Sequence, residues 1–242
     1  MTDLGELRNF LGLEIKRNRS QLSLFLSQAT YIQKILGDHG MLECKPSSTP
    51  ADPHIRLEKT SIDYHAPEGQ CRKYQSAVGS LMYAMLGTRP DLAYAVSKVR
   101  QYSTNPDATH LTAVNRIFRY LAGTADVGLY YTAQGQGRGY TDADWGSADD
   151  RRSIRGYTFI MAGAAISWNS KRQATVALSS TEAEYMALTQ AVKESLWLQG
   201  ILRDLGGTGH LVEVEDIHVD NQVAIALAKN PEFHARTKHI DI

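Results

Sequence analysis

Cysteine is nearly absent: Cys44 and Cys71 are the only two among 242 residues. Two thiols cannot build a disulfide framework, and their spacing suits no thiolate metal site, so free intracellular thiols are expected. No run of about 18 apolar residues occurs, which excludes a transmembrane helix. The N-terminus, Met1 to Phe10, mixes charged and apolar residues and carries no basic patch before an apolar core, so it does not read as a secretion signal. Net charge is absent too, because 26 Lys and Arg balance 26 Asp and Glu. Taken alone, that zero argues against a nucleic-acid partner. What is present is ordinary for a soluble globular chain: 43% hydrophobic and 21% charged residues, enough to bury a core. The length is comfortable for two domains of about 100–150 residues.

The zero conceals a split. Residues 1–133 hold 15 basic and 12 acidic side chains, a net of +3, and residues 134–242 hold 11 and 14, a net of −3. The change falls at Thr132-Ala-Gln-Gly-Gln-Gly-Arg-Gly139, a polar, glycine-rich stretch that reads as a linker or loop.

Before it, two apolar alternating runs (Phe10 to Ile15 and Leu22 to Leu26) flank Arg17-Asn-Arg-Ser20 and predict a β-hairpin. A helix follows, with Ser27 as its expected N-cap and Tyr31, Ile32, Ile35 and Leu36 at helical period. Residues 44–70 contain Pro46, Pro50, Pro53 and Pro67 and predict an extended connector. Three helices come next: Arg72–Leu86, one opening at Pro90, and Asp107–Leu121 with Gly123 as C-cap. The basic residues Lys98, Arg100, Arg116 and Arg119 fit either a solvated face or one that meets phosphates.

After the linker the period changes. Gly139–Asp142, Gly156–Met161, Ala165–Trp168 and Gln173–Leu178 predict strands, the middle two joined by Ala162-Gly-Ala164. A long helix is expected from Thr181 to Leu205, with Ser179 and Ser180 as caps, then a strand at Ile217–Val219 and a helix at Val223–Lys229. Antiparallel strands, a helix and another strand entering the same sheet describe a mixed α/β domain.

Three carboxylates stand at informative positions. Asp142 and Asp220 each end a predicted strand, where a sheet presents side chains to a cleft. Between them, Ser179-Ser-Thr-Glu-Ala-Glu-Tyr185 offers two glutamates. The stripe Ala187, Leu188, Ala191, Leu198, Leu202 and Leu205 must face the sheet, and heptads counted back from Leu198 reach Ala191 and Glu184, not Glu182. An inward Glu184 needs compensation, which a divalent cation shared with Asp142 and Asp220 would supply. Oxygen-only ligation suits Mg²⁺ or Mn²⁺ and the two-metal cleavage of phosphodiesters. The competing reading makes these residues ordinary caps and turn acids.

The runs Gly139-Tyr-Thr-Asp-Ala-Asp-Trp145, Ala177-Leu-Ser-Ser-Thr-Glu-Ala-Glu-Tyr-Met-Ala-Leu188, Val219-Asp-Asn-Gln-Val-Ala-Ile-Ala-Leu-Ala-Lys-Asn-Pro231 and Arg236-Thr-Lys-His-Ile-Asp-Ile242 closely resemble the ribonuclease H domain of copia-type LTR retrotransposon Pol polyproteins. Asp3-Leu-Gly-Glu-Leu-Arg-Asn-Phe-Leu-Gly12, Thr88-Arg-Pro-Asp-Leu-Ala-Tyr94 and Arg119-Tyr-Leu-Ala-Gly-Thr124 resemble the end of the palm and the thumb/connection region of the same polyproteins. The resemblance implies a mostly helical reverse-transcriptase part over 1–133 and a ribonuclease H-like α/β domain, a mixed sheet with flanking helices, over 134–242. It implies Mg²⁺ (or Mn²⁺) held by Asp142, Glu184 and Asp220, with Asp144 and Glu182 as runners-up, and cleavage of the RNA strand of RNA–DNA hybrids. Arg151, Arg152, Arg155, Lys171 and Arg172 then either hold hybrid phosphates or form a solvated surface. The polymerase Tyr-x-Asp-Asp motif is expected before Met1, and a further strand and helix with a fourth Asp after Ile242, for which Asp241 is a poor substitute. The alternative is a non-catalytic nucleic-acid-binding remnant of a decayed element. The expected setting is intracellular, in a cytoplasmic virus-like particle or the nucleus, beside the rest of the polyprotein and away from membranes. His218, His234 and His239, and the tryptophans at 145, 168 and 197, are expected to be ordinary structure, the tryptophans in core or interface.

Overall fold

The computed structural model describes residues 5–133, 135, 137–146, 150–206 and 214–229. The chain divides into two compact units, Met1–Thr132 and Ala133–Ile242.

In the first unit, strands β1 (Asn9–Phe10), β2 (Leu13–Asn18), β3 (Ser23–Ser27) and β4 (Leu129–Thr132) form one antiparallel sheet in that order. The expected hairpin is β2–β3. β4 was not foreseen: it is four residues long, and its partner β3 lies about a hundred residues earlier. Helices α1 (Ala29–Asp38), α2 (Glu68–Gly87), α3 (Ala93–Arg100) and α4 (Ala108–Gly123) pack around Ile32, Leu36, Leu81, Val96, Ile117, Phe118 and Leu121, with a short 3-10 turn at Pro90–Leu92.

Two cap expectations change. Ser27 belongs to β3, and the N-cap position of α1 is Gln28, whose side chain makes no cap bond. Gln28 instead accepts from the Thr88 N–H and hydroxyl, while Glu14 on β2 accepts from Thr30 N–H at 2.7 Å and serves the first turn of α1 from outside. Gly123 is the last residue of α4, not its cap. Asp107, expected as the first helical residue, is instead the N-cap of α4, accepting from Thr109 and His110 N–H while His110 Nδ1 accepts from the Asp107 N–H.

The connector explains two of the ambiguous cations. Arg116 binds Asp52 at 2.8 Å and Thr49, and Arg119 Nε donates to Lys45 O at 2.7 Å, so both guanidinium groups pin the proline-rich segment to α4.

In the second unit, β5 (Gly137–Asp144), β6 (Ile154–Met161), β7 (Ala164–Arg172) and β8 (Val214–His218) form a sheet of order β7-β6-β5-β8. β5–β6 and β6–β7 are antiparallel; β8, arriving after the long helix α5 (Ser180–Asp204), is parallel to β5. Helix α6 (Gln222–Lys229) follows. Residues Gln173–Leu178 are not a strand, contrary to the sequence reading. Their polar groups are spent elsewhere: Gln173 N–H on Ser153 O, Ala177 O on Trp145 Nε1, and Leu178 N–H on Glu182.

Small residues on the inner side of α5 (Ala183, Ala187, Ala191) let it lie close to the sheet, and Phe159, Ala191 and Leu198 form a cluster there. Leu205, expected on that stripe, is the helix C-cap and lies exposed. Gly139 is required beneath Phe159. A Cβ at Gly139 would sit 2.7 Å from the Phe159 ring and 3.2 Å from Ile217. Gly139→Ala should therefore cost about 1–3 kcal/mol by overpacking, measured as a lower urea midpoint of the second unit. Among the described residues, no helix is long and apolar enough to cross a membrane.

Candidate metal centre

Each carboxylate of the site is placed by a different element. β5 alternates, with Thr141 inward and Asp142 on the exposed side near its C-terminal end. Parallel pairing runs Gly139↔Ile217 and Tyr140↔His218, so Asp220, two residues beyond, arrives level with Asp142. At the start of α5, Ser179 Oγ accepts from Glu182 N–H (3.2 Å), and Glu182 Oε2 accepts from Leu178 N–H (2.7 Å). Glu182 is thereby occupied as a cap, and Glu184 points inward, only 6% exposed.

Glu184 Oε1 accepts from Ala143 N–H at 3.2 Å, while its buried Oε2 has no hydrogen-bond partner among the described residues. One carboxylate oxygen each from Asp142, Glu184 and Asp220 lie within 4.8 Å of one another. Asp144, the first-strand runner-up, is outside this group.

The arrangement is electrostatically unfavourable by itself. The Glu184 carboxyl is raised from 4.5 to about 7. Burial is the largest cause; the Ala143 N–H bond opposes it, and the negative charges of Asp142 and Asp220 push it up further. A hard divalent cation fits. The donor set is oxygen only, and the orphaned buried Oε2 is a ligand atom in need of a partner.

A stability consequence follows in chelator. The folded-state value lies above the unfolded one, so the folded state holds the extra proton. Stability is greatest below about pH 4.5 and falls as pH rises through about 7, by on the order of 3 kcal/mol from this group. All three tryptophans lie in Ala133–Ile242, so urea unfolding followed by tryptophan emission reads this unit. The wild-type curve should fall relative to Glu184→Gln between pH 4.5 and 8; parallel curves would contradict the assigned environment.

Of the basic candidates, Arg152 and Arg172 both contact Asp150 Oδ2 at 3.3 Å. Arg151 and Lys171 are exposed, and Arg155 is half-buried and stands directly opposite Lys171 on the neighbouring strand. His218 stacks on Tyr140 with ring centroids 4.9 Å apart. His234, His239 and Asp241 lie outside the described residues. Trp145 and Trp197 are 52% and 58% exposed, so neither is a core residue. Sequence reasoning overlooked Ser153 and Gln173, both fully buried and hydrogen-bonded beside the site. A serine and a glutamine in unremarkable local sequence give no signal of that.

Comparison with known proteins places the chain among relatives. It is 47% identical over its full length to the retrovirus-related Pol polyprotein from transposon TNT 1-94 of Nicotiana tabacum, covering 18% of that protein. It is 40% identical over 99% of its length to the retrovirus-related Pol polyprotein from transposon RE1 of Arabidopsis thaliana, covering 16%. An uncharacterized mitochondrial protein of Arabidopsis thaliana is 40% identical over 81% of this chain and 80% of its own length. The chain thus spans less than a fifth of the Pol polyproteins it matches. No protein-family model and no solved structure matches it.

Proposed function

We propose that this chain, a homologue of one segment of the retrovirus-related Pol polyproteins of plant transposons, carries a ribonuclease H-type nuclease that cuts the RNA strand of RNA–DNA hybrids. Residues 1–133 would then be the end of the palm and the thumb/connection of a copia-type reverse transcriptase, and 134–242 the nuclease domain. The mixed sheet, three antiparallel strands joined by a parallel strand after the long helix, supports that fold assignment.

The observation that carries the reading is the convergence of Asp142, Glu184 and Asp220 with a buried, unpartnered carboxylate oxygen at its centre. Bound Mg²⁺ or Mn²⁺ would activate a water for attack on the phosphodiester and stabilise the departing oxygen. Asp142 and Asp220 would hold the metal from the exposed side of the sheet, where a phosphate can approach. Glu184, fixed by the Ala143 N–H, would present its second oxygen from the buried side. Arg151, Arg152, Lys171 and Arg172 would meet hybrid phosphates. Like charges facing across strands, as Arg155 and Lys171 do, are unfavourable without an anion and are relieved by one. The 2′-hydroxyls of the RNA strand would mark it from DNA.

The test is incubation of purified protein with labelled RNA–DNA hybrid and Mg²⁺. Cleavage of the RNA strand that vanishes in Asp142→Asn supports the reading. No cleavage above that variant sinks it, and hybrid binding without cleavage would mark a non-catalytic binding module instead.

A further inference from the structure

We propose that Gln173 is a positioning residue for the carboxylate site, holding the first turn of α5, and Glu184 with it, in register with β5; this rests on the metal-dependent reading above. Gln173 follows the last residue of β7 and is 1% exposed. Its main-chain N–H donates to Ser153 O at 2.8 Å, and its side-chain Nε2 donates to Ala183 O at 2.9 Å. Ser153, fully buried, accepts at Oγ from Gly146 N–H (3.2 Å), just past the end of β5. Glu184, the residue after Ala183, returns to β5 through Ala143 N–H.

These contacts close a circuit: the end of β5, Ser153, Gln173, α5, and β5 again one residue from Asp142. A second strap runs beside it, with Trp145 Nε1 donating to Ala177 O at 3.3 Å and Leu178 N–H donating to Glu182. Two metal ligands on separate elements need such a circuit, because the helix can otherwise slide or rotate against the sheet.

Fold stability alone does not account for the amide. Ala183 O lies inside α5, where the helix ladder already gives it a donor. Gln173 Oε1 is buried with no partner among the described residues, so the side chain carries a polar atom left uncompensated there that a methionine of similar volume would not. What the amide adds is direction: a bond from the sheet to the peptide unit that carries Glu184.

The experiment compares wild type, Gln173→Met, Gln173→Asn and Asp142→Asn as full-length chains. Mn²⁺ binding is read from the spin-resonance signal of free Mn²⁺, thermal midpoints from circular dichroism, and hybrid cleavage from kcat and KM. The expected result for both Gln173 variants is a Mn²⁺ Kd weakened by about tenfold, as for other residues that orient metal ligands, with hybrid KM unchanged and cleavage restored by excess Mn²⁺. Asn keeps the amide but is one methylene too short to reach Ala183 O, and it carries the test should the Met variant not fold. Wild-type Mn²⁺ affinity in the folded variants, or a loss that only tracks the unfolded fraction, overturns the proposal. Failure of the wild-type protein to bind Mn²⁺, or binding by Asp142→Asn equal to wild type, overturns the carboxylate-site reading itself and the role of Gln173 with it.

Discussion

Glu184→Gln should abolish hybrid cleavage, by about three orders of magnitude, and at the same time make the metal-free protein more stable at pH 8. The two effects have one origin. Glu184 is buried against two other carboxylates, and its ionised form is disfavoured enough to bring its carboxyl to about 7. At pH 8 the wild-type chain must hold that charge without a partner on Oε2. Glutamine has nearly the same shape, can still accept from Ala143 N–H, and offers an N–H₂ to the surrounding carboxylates. Removing the charge should raise stability by about 2–3 kcal/mol, read by urea unfolding in EDTA. On the proposed metal-dependent reading catalysis should move the other way, because a neutral amide is a poor ligand for Mg²⁺ and about 4 kcal/mol of barrier lowering would be lost. Cleavage within tenfold of wild type would show that Glu184 does not serve a metal, and a variant no more stable than wild type at pH 8 would contradict its unfavourable buried charge. An ordinary structural carboxylate would lose stability on the same substitution.

The second large effect lies in the first unit and concerns folding alone. Arg89 is completely buried, and all three guanidinium nitrogens are engaged: Nε and Nη2 grip Asp91 at 3.0 and 2.8 Å, while Nη1 and Nη2 donate to Thr124 O and Oγ1 at 2.8 and 2.7 Å. The Tyr120 ring lies 5.5 Å away. This ties the start of the 3-10 turn to the C-terminus of α4, whose carbonyls need donors. Asp91→Ala leaves a cation in the interior without its counter-charge and should cost about 3 kcal/mol or more. Replacing both members, Arg89→Met with Asp91→Leu, should cost less than Asp91→Ala alone, since no uncompensated charge is left. Hydrogen exchange within residues 68–124 reads the difference. Additive effects of the two substitutions would contradict the pairing.

Much of the second unit was legible because its signals are local. Ser179 ahead of an apolar 3.6-residue period announces α5, and the same period selects Glu184 over Glu182 with no knowledge of the sheet. The strand ending before Asp220 was visible for the same reason, whereas the strand expected to stop at Asp142 runs on to Asp144. Gln173–Leu178 misled because its alternation fits a strand, yet those residues bond to Ser153, Trp145 and Glu182 and not to a neighbouring strand. β4 and the Glu14 cap on α1 escaped because each is a contact between segments far apart in the chain.

The zero net charge excluded nothing. It joins a basic half to an acidic half whose excess includes three carboxylates that meet at one point. The amino-acid sequence by itself determined the periods, the cap at Ser179 and the inward direction of Glu184, all of which depend on spacing along the chain, and its motifs carry the resemblance to the Pol polyproteins. Only the tertiary structure decided that β8 runs parallel beside β5, that Asp220 thereby stands level with Asp142, and that Glu182 is consumed as a cap while Glu184 Oε2 is left without a partner. It also decided that Gln173 ties α5 to the sheet. Strand order and hydrogen-bond partners are set by which surfaces bury each other, and burial is a property of the folded chain, not of any local stretch of residues.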